Sequence, residues 1–314
     1  MPISRYLDRS LPLSRNPRES EIRILVPIVR AQAVQSLIAV GDALAKPQDA
    51  DGKVLGLVEV PRQPANVANQ IVHRRRELLK WIADQENARG LPARLGILVR
   101  VVHNVPLGIR EAVFETGANL VVIEWPGPTS PRAGTLASVV DDLSSSPPAD
   151  LVFVRPSSRG LDLSGRPVRV IVPIRGGMNA RLALQVATRI SSAWGGEMSL
   201  LHIVSPDHHP DRRAYDLANA RATASAQPAA TLIVNETAGI AEAITSAASA
   251  ADVVVLGAYS EKGRHPVLVR PELVEAFSAI EGLLILVRSA RLDSEATVDA
   301  EPVEATRRAP PAGP

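Results

Sequence analysis

VRVIVPIRGGMNARLA, residues 168–183, decides the fold, because the chain has already spelled its opening once before. IRILVPI at residues 22–28 and VRVIVPI at 168–174 each introduce an apolar-periodic run, and their Val-Pro-Ile steps lie 146 positions apart, at Pro27 and Pro173. Later landmarks repeat with a second offset. ANLVVIEWPG ends at Gly127 and ADVVVLGAYS at Ser260, LVFVR at Arg155 and LILVR at Arg288, and both pairs are 133 apart. The second copy is therefore 13 residues shorter in its middle. A repeat of this length is a duplicated domain, since solenoid units run about 20 to 50 residues.

Composition agrees with two ordinary domains. The 314 residues are 46 % hydrophobic and 22 % charged, normal for a globular chain with two cores. Aromatic residues make up only 3 %, so those cores are expected to be Val, Ile, Leu and Ala. The net charge is +2, and the Arg residues are scattered among carboxylates without forming a stripe. Both features exclude a nucleic-acid reader, which needs a basic footprint and, for single strands, stacking aromatics. There is no cysteine, which removes disulfides, thiolate nucleophiles and cysteine metal sites. No apolar run approaches the roughly 18 residues of a membrane span. Arg5, Arg9, Arg15 and Arg18 make the first 20 residues too polar for a signal-peptide core, so a cytoplasmic location is expected.

In chain order, residues 1–21 carry three prolines and no sustained period and read as a flexible arm. Residues 22–29 are a short, nearly continuous apolar run, the pattern of a parallel strand covered on both faces. Val34, Leu37, Ile38, Gly41 and Leu44 then fall at helical spacing. Further strands are expected over 53–60, 94–102, 119–123 and 151–154, with helices over 66–90, 107–116 and from Leu136 to Leu143. In the helix over 66–90 Val67, Ile71, Leu78 and Ile82 share a face, and Arg74, Arg75 and Arg76 read as a solvated one. The second half repeats the alternation with strands over 169–174, 199–204, 231–234, 252–256 and 283–287. Its helices are expected over 180–194, 215–223, 240–248 and 271–279, the second of them shortened.

Alternating strands and helices imply an α/β fold: two tandem open parallel five-stranded sheets, each with helices on both faces. The expected division is an arm over 1–21, a first domain over 22–157, a second over 158–289 and a disordered tail over 290–314. Each fifth strand, LVFVR at 151–155 and LILVR at 284–288, would be an exposed apolar edge if left alone. Placed side by side and antiparallel they would close an intrachain pseudo-dimer.

The motifs ILVPI (24–28), VIVPIRGGMNARLAL (170–184), VRVVHNVPLGIREAVFETGANLVVIEW (99–125) and SVVDDLSSSPPADLVFVRP (138–156) carry a family resemblance. Each half resembles a universal stress protein domain, and the pair is similar to tandem forms of that family. These include soluble regions of some bacterial amino-acid permeases and cation/proton antiporters. The resemblance implies a site in the nucleotide-binding members: an Asp after the first strand, then Gly-x2-Gly-x9-Gly-Ser/Thr after the fourth. Glycines let backbone N–H groups approach phosphate, and a Gly-Ser/Thr pair opening a helix offers its free N–H groups.

This sequence keeps the spacing and loses much of the chemistry. In the first half the positions fall at Glu124, Gly127, Ala137 and Ser138, with Val29 in place of the Asp. A carboxylate at Glu124 repels an approaching phosphate by about 4 kcal/mol per charge pair at 4 Å and an effective dielectric near 20. In the second half they fall at Gly257, Ser260, Arg270 and Pro271, with Arg175 replacing the Asp and Gly176 and Gly177 following it. Arg175, Gly176, Gly177, Gly257, Ser260 and Arg270 are a candidate anion or nucleotide site, and Gly127 and Ser138 the remains of another. Pairing of the two arginines with nearby acids or water is the alternative.

Asp207, His208, His209 and Asp211 form a loop cluster of metal-capable side chains, read as a solvated loop because a site needs convergent geometry. His202 reads as a packed strand histidine, and adjacent Asp141 and Asp142 diverge by about 100° on a helix, a poor arrangement for acid/base work. No cofactor is firmly implied; ATP or another adenine nucleotide is the candidate ligand. The expected function is a non-enzymatic regulatory or accessory protein that docks on a partner protein such as a membrane transporter. The alternative is an adenine-nucleotide-binding stress sensor with one site retained in the second half.

Overall fold

Strand β1 (Arg23–Ile28) is buried from Ile24 onward, as its continuous apolar run requires, and it sits inside a sheet rather than at its rim. The computed structural model describes residues 22–46, 50–59, 77, 95–128, 134–161, 163, 166–174, 178–227, 229–259 and 268–290. The arm over 1–21, all of the expected helix over 66–90 except Glu77, and the tail from 291 lie outside the described residues.

The first half continues with helix α1 (Val34–Ala45), β2 (Asp51–Glu59), β3 (Leu95–Val102), α2 (Val105–Thr116), β4 (Leu120–Glu124), α3 (Gly134–Ser145) and β5 (Asp150–Arg155). The second runs β6 (Arg169–Pro173), α4 (Met178–Trp194), β7 (Glu197–Val204), α5 (Pro210–Ser225), β8 (Ala230–Glu236), α6 (Ile240–Ser249), β9 (Val253–Gly257), α7 (Val274–Ala279) and β10 (Leu283–Arg288). Local chemistry sets several boundaries. Asn104 caps α2 by accepting from the Leu107 N–H at 2.8 Å, and Gly117, at φ +63°, ends it in the left-handed conformation. Helix α5 begins at Pro210, five residues before the expected start, because His209 serves as its N-cap.

The strands run in the order β3-β2-β1-β4-β5-β10-β9-β6-β7-β8. Within each half every pairing is parallel, and each half has the same order, third-second-first-fourth-fifth. The two five-stranded sheets meet where β5 and β10 pair antiparallel, from Leu151 opposite Arg288 to Arg155 opposite Leu284. The expected edge-to-edge contact is present, and it joins the halves into one ten-stranded sheet. Its antiparallel sense also sends the carboxyl ends of the two sets of strands to opposite rims.

Each face of the sheet carries its own core. Val152, Val154, Ile285 and Val287 at the seam face the side of α1 and α4, with Leu37, Leu44, Val186 and Ile190. Leu151, Phe153, Leu284 and Leu286 face the side of α2, α3, α6 and α7, with Ile109, Val139, Leu143 and Phe277. This is period-2 alternation with both faces apolar, the reason these strands read as unbroken hydrophobic runs.

Polar contacts also cross between the halves. Arg189 on α4 donates to the Leu44 carbonyl at 3.4 Å, and Lys46 after α1 donates to the Ala193 carbonyl at 3.2 Å. Each half thus places a cation on the carboxyl-terminal carbonyls of the other's first helix, where a helix dipole favours it. Arg155 donates to the carbonyls of Phe277 and Ile280, at the end of α7. Asp150 accepts from the Ser289 hydroxyl at 3.1 Å and the Ala290 N–H at 2.8 Å.

Candidate functional site

In an open parallel sheet the crevice for a ligand lies beyond the carboxyl ends of the strands, where the order reverses. Here that place is the β1/β4 boundary in the first half and the β6/β9 boundary in the second. The two crevices open on opposite rims.

The first crevice holds an ion pair of the chain's own making. Glu124 is the last residue of β4 and is 3 % exposed; Arg30 stands two residues past the end of β1. The Arg30 Nε donates to Glu124 Oε2 at 3.0 Å, and its Nη2 donates to the other carboxylate oxygen. The two-pronged geometry matches a planar guanidinium to a carboxylate. That hydrogen bond raises the pKa of Arg30, against a smaller opposing effect of burial. In sequence alone Glu124 is a bare repulsive charge. Arg30 compensates it, so the crevice holds an ion pair rather than a bare negative charge. The signal for Arg30 was its position, adjacent to Val29 at the end of the first strand.

Around this pair the family landmarks are partly kept. Gly127 has φ +94°, a backbone that a side chain would strain, and its Cα region lies against the Arg155 stem. Trp125 is buried, and its N–H donates to the Val154 carbonyl at 2.8 Å. Ser138 lies on α3 with its side chain exposed.

The second crevice is shaped by a residue that motif reading passed over. Asn179, in the first turn of α4, is buried; its Nδ2 donates to the Ala258 carbonyl at 2.8 Å, and its Oδ1 accepts from the Ser289 N–H at 2.8 Å. One amide thereby ties the start of α4 to the exits of β9 and β10. Gly257 makes the approach possible, since a Cβ there would stand 2.9 Å from the Asn179 Cβ. The glycine serves helix-to-strand packing here, one of the uses of glycine in such turns.

Arg270 packs its guanidinium 4.3 Å from the centre of the Tyr259 ring and lies 3.5 Å from Glu272. The Tyr259 N–H donates to the Leu268 carbonyl at 3.1 Å, which returns this segment to the β9 exit. Of the six candidate residues the structure thus places Gly257 and Arg270. Arg175, Gly176, Gly177 and Ser260 lie outside the described residues.

In the Asp207 loop, His209 caps α5 and lies 3.5 Å from Asp211, and His208 lies 3.6 Å from Asp216. Among the described residues no group of His, Asp and Glu is arranged to hold a metal ion. No helix among them is long and apolar enough to cross a membrane.

No family model and no curated protein sequence matches the chain. Solved structures do. The chain is similar to a universal stress protein from Archaeoglobus fulgidus DSM 4304, with a TM-score of 0.56 and 14 % identity over 85 % of this chain and 96 % of that one. It is similar to a functionally unknown protein from Pseudomonas aeruginosa PAO1, with a TM-score of 0.55 and 12 % identity over 87 % and 95 % of the two chains. It is also similar to the cytoplasmic domain of a prokaryotic cation chloride cotransporter, with a TM-score of 0.55 and 13 % identity over 86 % and 96 %. At such identities the likeness is one of fold. The chain has the universal stress protein fold in tandem form, two five-stranded α/β halves joined through their fifth strands.

Proposed function

We propose that the protein is a non-enzymatic regulatory or accessory unit that docks, in the cytoplasm, on a membrane transporter or another membrane complex. The observation that carries this reading is the Arg30–Glu124 pair. Where a nucleotide-binding relative would receive phosphate, this chain supplies both the anion and the cation itself. A crevice satisfied from within has no need of a ligand to complete it, and a half built that way serves as a fixed scaffold. The shared fold with the cytoplasmic domain of a cation chloride cotransporter supports a transporter as the partner class.

Crosslinking in the protein's own cells, followed by mass spectrometry, tests this reading. Transporter peptides joined to the full chain support it. Crosslinks confined to soluble enzymes, or nucleotide turnover by the purified chain, overturn it.

A second reading, an adenine-nucleotide sensor in the second half, is favoured by Gly257, which keeps a glycine where the first half has Glu124, and by Arg270 near the same exit. Calorimetry with ATP and AMP decides it. Heat that saturates below millimolar ligand and is lost in Arg270→Ala supports a sensor, and no heat removes it.

A further inference from the structure

After β5, Ser158 and Arg159 bond to the Glu281 and Ala251 carbonyls just before β10 and β9, beside a cleft of about 170 Å³. Arg159, Arg166, Arg169, Asp252 and Gly282 line it. Asp252 organises the group. Its oxygens accept from both Nη atoms of Arg166, at 2.7 and 2.6 Å, and from the backbone N–H of Arg169 at 2.9 Å. Its side chain is 15 % exposed, whereas those of Arg159, Arg166 and Arg169 are 47 %, 52 % and 51 % exposed.

Three guanidiniums therefore face two carboxylates, Asp252 in the lining and Glu281 beside Arg159, and Asp252 is engaged by Arg166 in a two-pronged pair. Arg159 is held from one side, Nη2 donating to the Ala251 carbonyl at 3.1 Å and Nε lying 3.6 Å from Glu281. The Nε of Arg169 lies 3.8 Å from Asp252. The remaining donors, Nη1 of Arg159 and both Nη atoms of Arg169, bond to no described residue. Excess positive charge with unused planar N–H donors, on guanidiniums already positioned by other contacts, is the chemistry that recognises an oxyanion. Size narrows the class. Pockets for whole drug-sized ligands run about 300–1,000 Å³, so this cleft suits a phosphate group and not a complete nucleotide.

We propose that the junction cleft is a binding site for a phosphate group, held by Arg159 and Arg169 while Asp252 fixes Arg166 and the start of β6. It lies at the amino ends of β6, β9 and β10, away from the second half's crevice, and stands whether or not that crevice takes a nucleotide. A phosphate seated there ties the interdomain connection to the second half.

The test uses the full chain, with inorganic phosphate titrated against chloride at matched ionic strength, followed by calorimetry and thermal unfolding. Arg159→Gln and Arg169→Gln are compared with Arg213→Gln, a change at an exposed ion pair with Glu236 away from the cleft, and the phosphate-free melting temperature of each variant checks its fold. The expected result is saturable heat and a phosphate-specific rise in Tm. Either cleft variant weakens binding by about tenfold or more, as loss of a charge-assisted contact implies, and Arg213→Gln leaves it unchanged. If a Gln variant folds poorly, the Lys variant at the same position, which keeps the charge and loses the fork, is expected to bind more weakly than wild type.

Stabilisation equal to that by chloride, or phosphate binding undiminished in both cleft variants, overturns the site. Vesicles separate the sources of phosphate. Sedimentation with phosphatidate but not phosphatidylcholine vesicles, lost in the cleft variants, assigns a lipid headgroup; phosphate binding without sedimentation assigns a free phosphate.

Discussion

Arg30 donates its Nε to Glu124 Oε2 at 3.0 Å, and the two residues reach each other from the ends of adjacent parallel strands 94 positions apart in the chain. Removing Arg30 leaves a buried carboxylate without its counter-charge, which in other proteins costs about 3–5 kcal/mol. Because the Arg30 side chain is 27 % exposed, water recovers part of that loss. Arg30→Ala is therefore expected near the low end, about 3 kcal/mol. The double variant Arg30→Met/Glu124→Leu is expected to cost less than the sum of the single changes. Urea unfolding of the four proteins in the cycle measures the coupling, and additive losses would remove the pair from the crevice.

Asp252 gives an acid-side signature. Its hydrogen bonds with Arg166 hold its pKa below the usual carboxylate value, outweighing the opposing effect of burial. A carboxylate depressed in the folded state binds fewer protons there than in the unfolded chain. Its contribution is complete above the unfolded pKa, about 3.9, and is lost as pH falls through the lower folded value. The Tm of Asp252→Asn is expected to lie below that of wild type at pH 6, with the gap narrowing as pH is lowered under 4. A gap that stays constant from pH 6 to 2.5 contradicts the assignment.

Phe153 has no exposed surface and sits in β5 opposite Leu286 of β10. Phe153→Ala is expected to cost about 3–5 kcal/mol. Since Phe153 belongs to a core that spans both halves, the loss is expected to lower the unfolding of both together. Calorimetry of wild type should show one coupled transition, and a variant that melts only one half while the other keeps its Tm argues against a shared core.

Gly257 and Gly160 make a matched comparison of space against backbone. An alanine at 257 meets the Asn179 Cβ at 2.9 Å and its backbone carbon at 3.0 Å, so α4 must shift, at about 1–3 kcal/mol. At Gly160 nothing lies within 4 Å, but φ is +78°, and alanine there is expected to cost about 1–2 kcal/mol from backbone strain alone. The shift of α4 that alanine at 257 forces also pulls the Asn179 amide from the Ala258 carbonyl and the Ser289 N–H, so the pair Gly257→Ala/Asn179→Ala is expected to be less than additive in chemical unfolding. Gly160→Ala/Asn179→Ala should be additive.

Asn179 itself bonds two backbone groups, the Ala258 carbonyl and the Ser289 N–H. Its loss leaves buried polar groups short of partners, at about 1–3 kcal/mol. Amide exchange at Ser289 is expected to quicken in Asn179→Ala, and unchanged protection there counts against the tie.

The duplication, the strand and helix alternation and the apolar fifth strands were legible in the amino acids. Burial on both faces of a parallel sheet forces unbroken runs such as LVVIE and LILVR, and a repeated order of elements forces a repeated topology. The antiparallel joining of β5 to β10 followed from the same reasoning, because two apolar edges in one chain satisfy each other. What the sequence left open are the relationships between distant side chains. Nothing near Glu124 in sequence names Arg30, Asn179 stands inside VIVPIRGGMNARLAL without a role that the motif assigns, and Arg159, Arg166, Arg169 and Asp252 come from two segments far apart in the chain. Periodicity reports which face of an element is apolar. Only tertiary structure decides which polar group stands opposite another, since a hydrogen bond or an ion pair depends on ångström distances set by the packing of whole elements.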